Sequence, residues 1–193
     1  MTRVVQTTDP KSRMYLFFDT ETSDLPRSYT APETDTRNWP RLIQLAWVSC
    51  DSAGNAGPPQ VHLIQPEGFA IAPGAFERHG ISTQFASDQG VPLRPVLESF
   101  LVSVQQAEVL VAHHIEFDAN IVGAECVRAG LTNPIRSKQL RCTMKDSTNF
   151  CRLPGNRGYK WPTLTELHTV LFQAPFDNAH DAASDCLACL KGF

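Results

Sequence analysis

The chain has 193 residues, with 17 Lys+Arg against 20 Asp+Glu and a formal net charge of −3. Its 42% hydrophobic and 19% charged content is that of a folded globule, too apolar for a disordered chain, and the length fits one domain, 1–193. That charge argues against holding nucleic acid by bulk electrostatics, and no apolar run reaches the ~18 residues of a membrane span.

Residues 1–13, MTRVVQTTDPKSR, lack the apolar stretch of a secretory signal. They read as an N-terminal extension of a cytoplasmic protein whose core runs from about 14 to 190. Residues 14–19, MYLFFD, read as a buried strand delivering Asp19 at its end. Residues 22–40, rich in Pro, Thr and Asp, read as a loop. Second and third strands follow at 41–50 and 60–65, the three forming an antiparallel meander. A short helix is expected over 73–79, stopped by Gly80. Residues 92–106 place Val96, Leu97, Phe100, Leu101 and Val104 on one helical face. Residues 108–112, EVLVA, read as a strand of the type found centrally in a covered sheet. A helix over 114–129 ends at Gly130, and 138–144 suggest a fifth strand. Helices over 162–171, opened by Pro162, and 178–190 close the chain. The fold class is α/β, one domain with a mixed sheet.

Six cysteines in a chain of this length, without a signal, read as reduced thiols. Cys186 and Cys189 form a CxxC, but no second pair accompanies it. On a helix, positions i and i+3 simply share a face, so neither zinc nor redox chemistry is expected there.

Four acids stand where acids are costly. Asp19 and Glu21, two apart at the end of an apolar strand, project to the same side. Two carboxylates that close repel unless a cation lies between them. Asp118 follows the next apolar strand, and Asp185 lies in the last helix. Singly, each also suits a turn cap or a solvated helix position. Brought together, they make a hard-oxygen site for Mg2+ or Mn2+.

In order, FFDTET (17–22), HHIEFD (113–118) and HDAASD (180–185) resemble the three motifs of the DEDDh 3′→5′ exonucleases. These are the DnaQ-like branch of the ribonuclease H-like superfamily, and the resemblance runs from about Tyr15 to Leu190. RHGIS (78–82) and WPTLTEL (161–167) are secondary echoes. A sister branch carries Tyr at the place of His180. The resemblance implies a ribonuclease H-like sheet, three antiparallel strands followed by parallel ones, flanked by helices. It implies catalysis by Asp19, Glu21, Asp118, His180 and Asp185, the four acids holding two divalent ions, Mg2+ or Mn2+, and His180 acting as general base. Thr20 and Thr22 would contact the 3′-terminal nucleotide, and Leu25 would pack on its base. His114 stands where the family often has Asn, and would alter how that nucleotide is held. The substrate implied is a 3′ end of single-stranded DNA or RNA, released as nucleoside 5′-monophosphates. A catalytically silent nucleic-acid-binding or polymerase-associated module on the same fold is the alternative, and an internally cutting two-metal enzyme is another. The resemblance brings in homodimers and polymerase subunits as partners without choosing between them.

Residues 136–160 hold seven Lys and Arg against Asp146, a local excess of +6, interleaved with Tyr159. Such runs are usually solvated loops. Basic groups among aromatics also suit single-stranded backbone and bases, and Arg152 and Arg157 are the expected substrate contacts. With two divalent ions balancing the four acids, the charge of −3 becomes about +1, so it excludes only broad, tight binding.

Overall fold

The computed structural model describes residues 13–176 and 179–193. β1 (Met14–Thr22), β2 (Leu42–Asp51) and β3 (Gln60–Leu63) form the expected meander. α1 (Pro73–His79), α2 (Thr83–Gln89) and α3 (Leu93–Gln106) follow, then β4 (Val109–Ala112) and α4 (Ile115–Ala129). β5 (Gln139–Cys142) leads into two single-turn helices, α5 (Thr143–Asp146) and α6 (Thr148–Cys151). A ribbon, β6 (Pro154–Gly155) with β7 (Gly158–Tyr159), precedes α7 (Leu164–Phe172) and α8 (Ala182–Gly192). Among the described residues, the main sheet has the order β3-β2-β1-β4-β5, with β4 and β5 parallel to β1. No described helix is long and apolar enough to cross a membrane.

Strand alternation sorts the core into two layers. Leu16 and Phe18 of β1, Trp47 of β2 and Leu110 of β4 face α3 and α4. Phe17, Val48, Val109 and Val111 face the other way, against α8 and Leu164 of α7. β4 is buried at every position, as its all-apolar run required. Cys186 and Cys189 lie on the buried face of α8, and all six cysteines are unpaired thiols.

The structure changes four expectations. β1 runs on to Thr22 with a register shift after Glu21, so the acids lie within a strand and not at the mouth of a loop. α8 begins at Ala182, and His180 stands two residues ahead of it in a turn. Of the last helix's expected start, Asn178 lies outside the described residues. His114 is the residue before α4, not its first turn. The window 136–160 is built of short elements instead of one loop, because Ser147 and Thr148 hydroxyls donate back to the Thr143 and Met144 carbonyls and close single turns.

Candidate active site

Asp19 and Glu21 fall in step with Phe17, so both project from the face that α8 covers. Three contacts seat α8 there. The Ala182 N–H donates to Gln44 Oε1 on β2 at 2.9 Å. The Cys186 thiol donates to the Phe17 carbonyl at 3.4 Å. Asp181 caps the helix by accepting from Ser184 N–H at 3.1 Å. Asp185, one turn in, then meets Glu21, and the His180 N–H donates to both Asp185 oxygens at 3.3 and 3.4 Å. A ring nitrogen of His180 and one oxygen each of Glu21 and Asp185 lie within 4.8 Å of one another.

Asp118 arrives from the opposite layer, in the first turn of α4. Thr20 alternates toward α4, and its N–H and hydroxyl both donate to Asp118 Oδ1, at 3.1 and 2.8 Å. Asp118 is 2% exposed and Glu21 7%.

Burial raises every one of these carboxyl groups, and mutual repulsion adds to it. Asp19 is held well above the usual carboxylate range by burial first, then by Asp118, Asp185 and Glu21. Glu21 is pushed up to about 8, by burial and then Asp185, with the Arg78 guanidinium opposing. Asp118 is raised to about 7 by burial, against the Thr20 hydrogen bonds. Asp185 is raised to about 6, again chiefly by burial, against the His180 N–H. Four acids that destabilise one another as anions are a set that divalent cations relieve, so the residues fit a metal centre.

Two histidines brace the site. His79 accepts the Ile81 N–H at Nδ1 (3.0 Å), so Nε2 carries the proton and donates to the Thr22 carbonyl at 3.2 Å, tying α1 to the end of β1. His113 Nε2 lies 3.1 Å from the Pro162 carbonyl, which can only accept. Its Nδ1 therefore takes the Thr143 hydroxyl proton at 3.0 Å, and that hydroxyl accepts from the Cys189 thiol at 3.5 Å. Burial holds His113 neutral, at about 4.

Among the remaining expected residues, Thr22 is buried, its hydroxyl donating to the Asp24 carbonyl at 2.7 Å. Leu25 is 58% exposed in the loop leaving β1. His114 precedes α4 with φ 83°, and its ring stacks on exposed Tyr29 at 6.3 Å and on Phe117 at 6.0 Å. The basic window is largely spoken for: Arg136 pairs with Glu116 and Glu33, Arg141 with Asp146, Lys160 with Glu166. Lys138 donates to the Gln105 and Ala107 carbonyls. Arg152 and Arg157 are exposed, and no described carboxylate pairs with either. Neither touches the acid cluster. Gln44, Arg78 and Tyr29 escaped sequence reasoning. The signal for Gln44 was an amide within the apolar run LIQLAWV; Arg78 opens the echo RHGIS but no role was read for it there, and Tyr29 carries no local signal.

A family model described as exonuclease (RNase_T) matches residues 16–193. The chain belongs to this exonuclease family. The matched span contains all five residues of the acid–histidine cluster. Among solved structures, this exonuclease-family chain is similar to E. coli exonuclease I. The complex with a dA16 oligonucleotide aligns with TM-score 0.70 and 18% identity, covering 93% of this chain and 39% of the other. The complex with dT13 aligns at 0.73 and 20%, covering 93% and 40%. The zinc-bound complex with single-stranded DNA aligns at 0.72 and 21%, covering 94% and 39%. At that identity the likeness is one of fold, and the chain spans about two fifths of the length of those proteins. Comparison with curated proteins gives no match.

Proposed function

We propose that the chain is a metal-dependent 3′→5′ exonuclease acting on single-stranded DNA or RNA ends and releasing nucleoside 5′-monophosphates. The observation that carries this reading is the convergence of Asp19, Glu21, Asp118, Asp185 and His180 at the C-terminal end of the central strand β1, from three separate elements. Asp19, Glu21, Asp118 and Asp185 would hold two divalent ions, Mg2+ or Mn2+. When bound, such ions lower the cost of charge building on the scissile phosphodiester and on its leaving 3′-oxygen.

The protein's own groups do the rest. Thr20 orients Asp118 by two donors to one oxygen, leaving the other oxygen for a cation. His180 accepts the proton of the attacking water; burial lowers its ring, so it is neutral and competent near pH 7. The stacked Tyr29 and His114 rings and exposed Leu25 supply surfaces for unpaired bases, favouring a single strand over a duplex whose base faces are already covered. Arg152 and Arg157 would neutralise backbone phosphates farther from the cleaved end.

The test is hydrolysis of 3′- and 5′-labelled single-stranded DNA and RNA with Mg2+. Loss of the 3′ label as mononucleotide, with a ladder from the 5′ label, is expected. Internal cuts, or uncut strands, would overturn the reading.

A further inference from the structure

Arg78, in the last turn of α1, is exposed and lies beside the cluster. Its position is fixed by its neighbour, because His79 is pinned at both ring nitrogens. Arg78 Nε donates to His180 Nδ1 at 3.4 Å. That is a long hydrogen bond to a neutral acceptor, at the weak end of the range. The guanidinium has five N–H donors in a planar fork, and no described carboxylate lies within ion-pair distance of it. Its charge nevertheless reaches both Glu21 and Asp185. Once divalent cations balance the carboxylates, Arg78 still presents a positive charge at this edge of the cluster. A phosphodiester oxygen is a far better acceptor for an arginine fork than an imidazole nitrogen, being charged and open to paired hydrogen bonds.

The present contact also sets the His180 tautomer. While Nδ1 accepts from Arg78, the ring proton of neutral His180 sits on Nε2, and no nitrogen lone pair is free to take a proton from water. We propose that Arg78 exchanges partners on substrate entry: it leaves His180 Nδ1 for a non-bridging oxygen of the terminal phosphodiester, freeing the His180 ring to act. This rests on the exonuclease reading with His180 as base. It adds a phosphate-sensing step to that reading: the ring is released only when the anion it must serve has arrived.

The experiment compares thymidine 5′-monophosphate with thymidine as ligands, in Mg2+, for the intact chain, Arg78→Ala and Arg78→Lys. Arg78→Ala should weaken the monophosphate about tenfold, as expected for losing a charge-assisted pair, and leave thymidine unchanged. Arg78→Lys should recover part of the loss. In 15N-histidine spectra at pH 8, His180 should show the Nε2–H tautomer in the free protein. The hydrogen-bond shift of its unprotonated Nδ1 should be lost on adding monophosphate, and absent from free Arg78→Ala. Equal weakening of both ligands, or of neither, would overturn the proposal, as would a His180 spectrum unmoved by monophosphate. Failure of the exonuclease reading appears separately, as an intact protein that leaves labelled strands uncut.

Discussion

The backbone at His114 and His180 takes φ of 83° and 71°, a region that residues with a β-carbon seldom occupy. At His114 the conformation lets β4 turn into α4 within two residues, which sets Asp118 against Thr20. Asn reaches this region more readily than most side chains, so His114→Asn should leave the melting temperature equal or higher. A β-branched residue suits it least: His114→Val should cost about 1–3 kcal/mol in urea unfolding. At His180 the same geometry aims the N–H at Asp185 while the ring stays beside Glu21. If the ring is the general base, His180→Ala should lower kcat about a hundredfold or more with Mg2+ affinity by calorimetry retained. Affinity lost in parallel with kcat would make His180 a ligand instead.

Elements carry these residues, and their seating is testable. Gln44 is the amide that anchors the start of α8. Gln44→Leu should lower kcat with little change in KM, because it loosens the helix that presents Asp185. The stability cost should stay at about 1 kcal/mol, the value of one hydrogen bond. In the basic window, Arg152 and Arg157 are exposed without carboxylate partners, so charge reversal of both should weaken strand binding and flatten its salt dependence. The same reversal at Arg141 or Lys160 would break a local ion pair, and should matter less for binding. These contrasts mirror what was legible in the sequence. β1 and β4 were readable as unbroken apolar runs buried on both faces, and α3 by its period of 3.6. α2 was not, since Ala86 is its one buried residue. α5, α6 and the β6–β7 ribbon were hidden because two to four residues are too few for any period, and side-chain hydroxyls hold the single turns together. Of the site, the acids were legible by their misfit among apolar residues. Arg78 was not: it reaches His180 only because α1 folds back over a separation of 102 residues.

For the whole molecule, the raised carboxyl groups make stability depend on pH. Glu21, Asp118 and Asp185 titrate near 8, 7 and 6 when folded, against about 4 unfolded. The folded chain therefore binds more protons through that window, and stability falls as pH rises across it. The depressed histidines act in the opposite sense, but only below about 6.5, where the unfolded imidazoles charge. In EDTA the melting temperature should thus be lower at pH 8 than at pH 6.5. Excess Mg2+ should raise it more at pH 8, where ions displace fewer protons. Scanning calorimetry reads both, and a metal-free melting temperature that climbs from 6.5 to 8 would contradict the assignment.

The pairing of the first strand with the last helix has one more consequence, in time. The contacts Thr20–Asp118 and Phe17–Cys186 close over 98 and 169 residues, and such long-range closures come late in folding. During synthesis from the N-terminus, Asp19 and Glu21 leave the ribosome first, and α8 follows only after residue 182. A nascent chain can pair its meander while Asp185 and His180 are still unmade. On the exonuclease reading, the cutting centre cannot assemble before α8 has been made and has cleared the ribosome, however early the meander pairs.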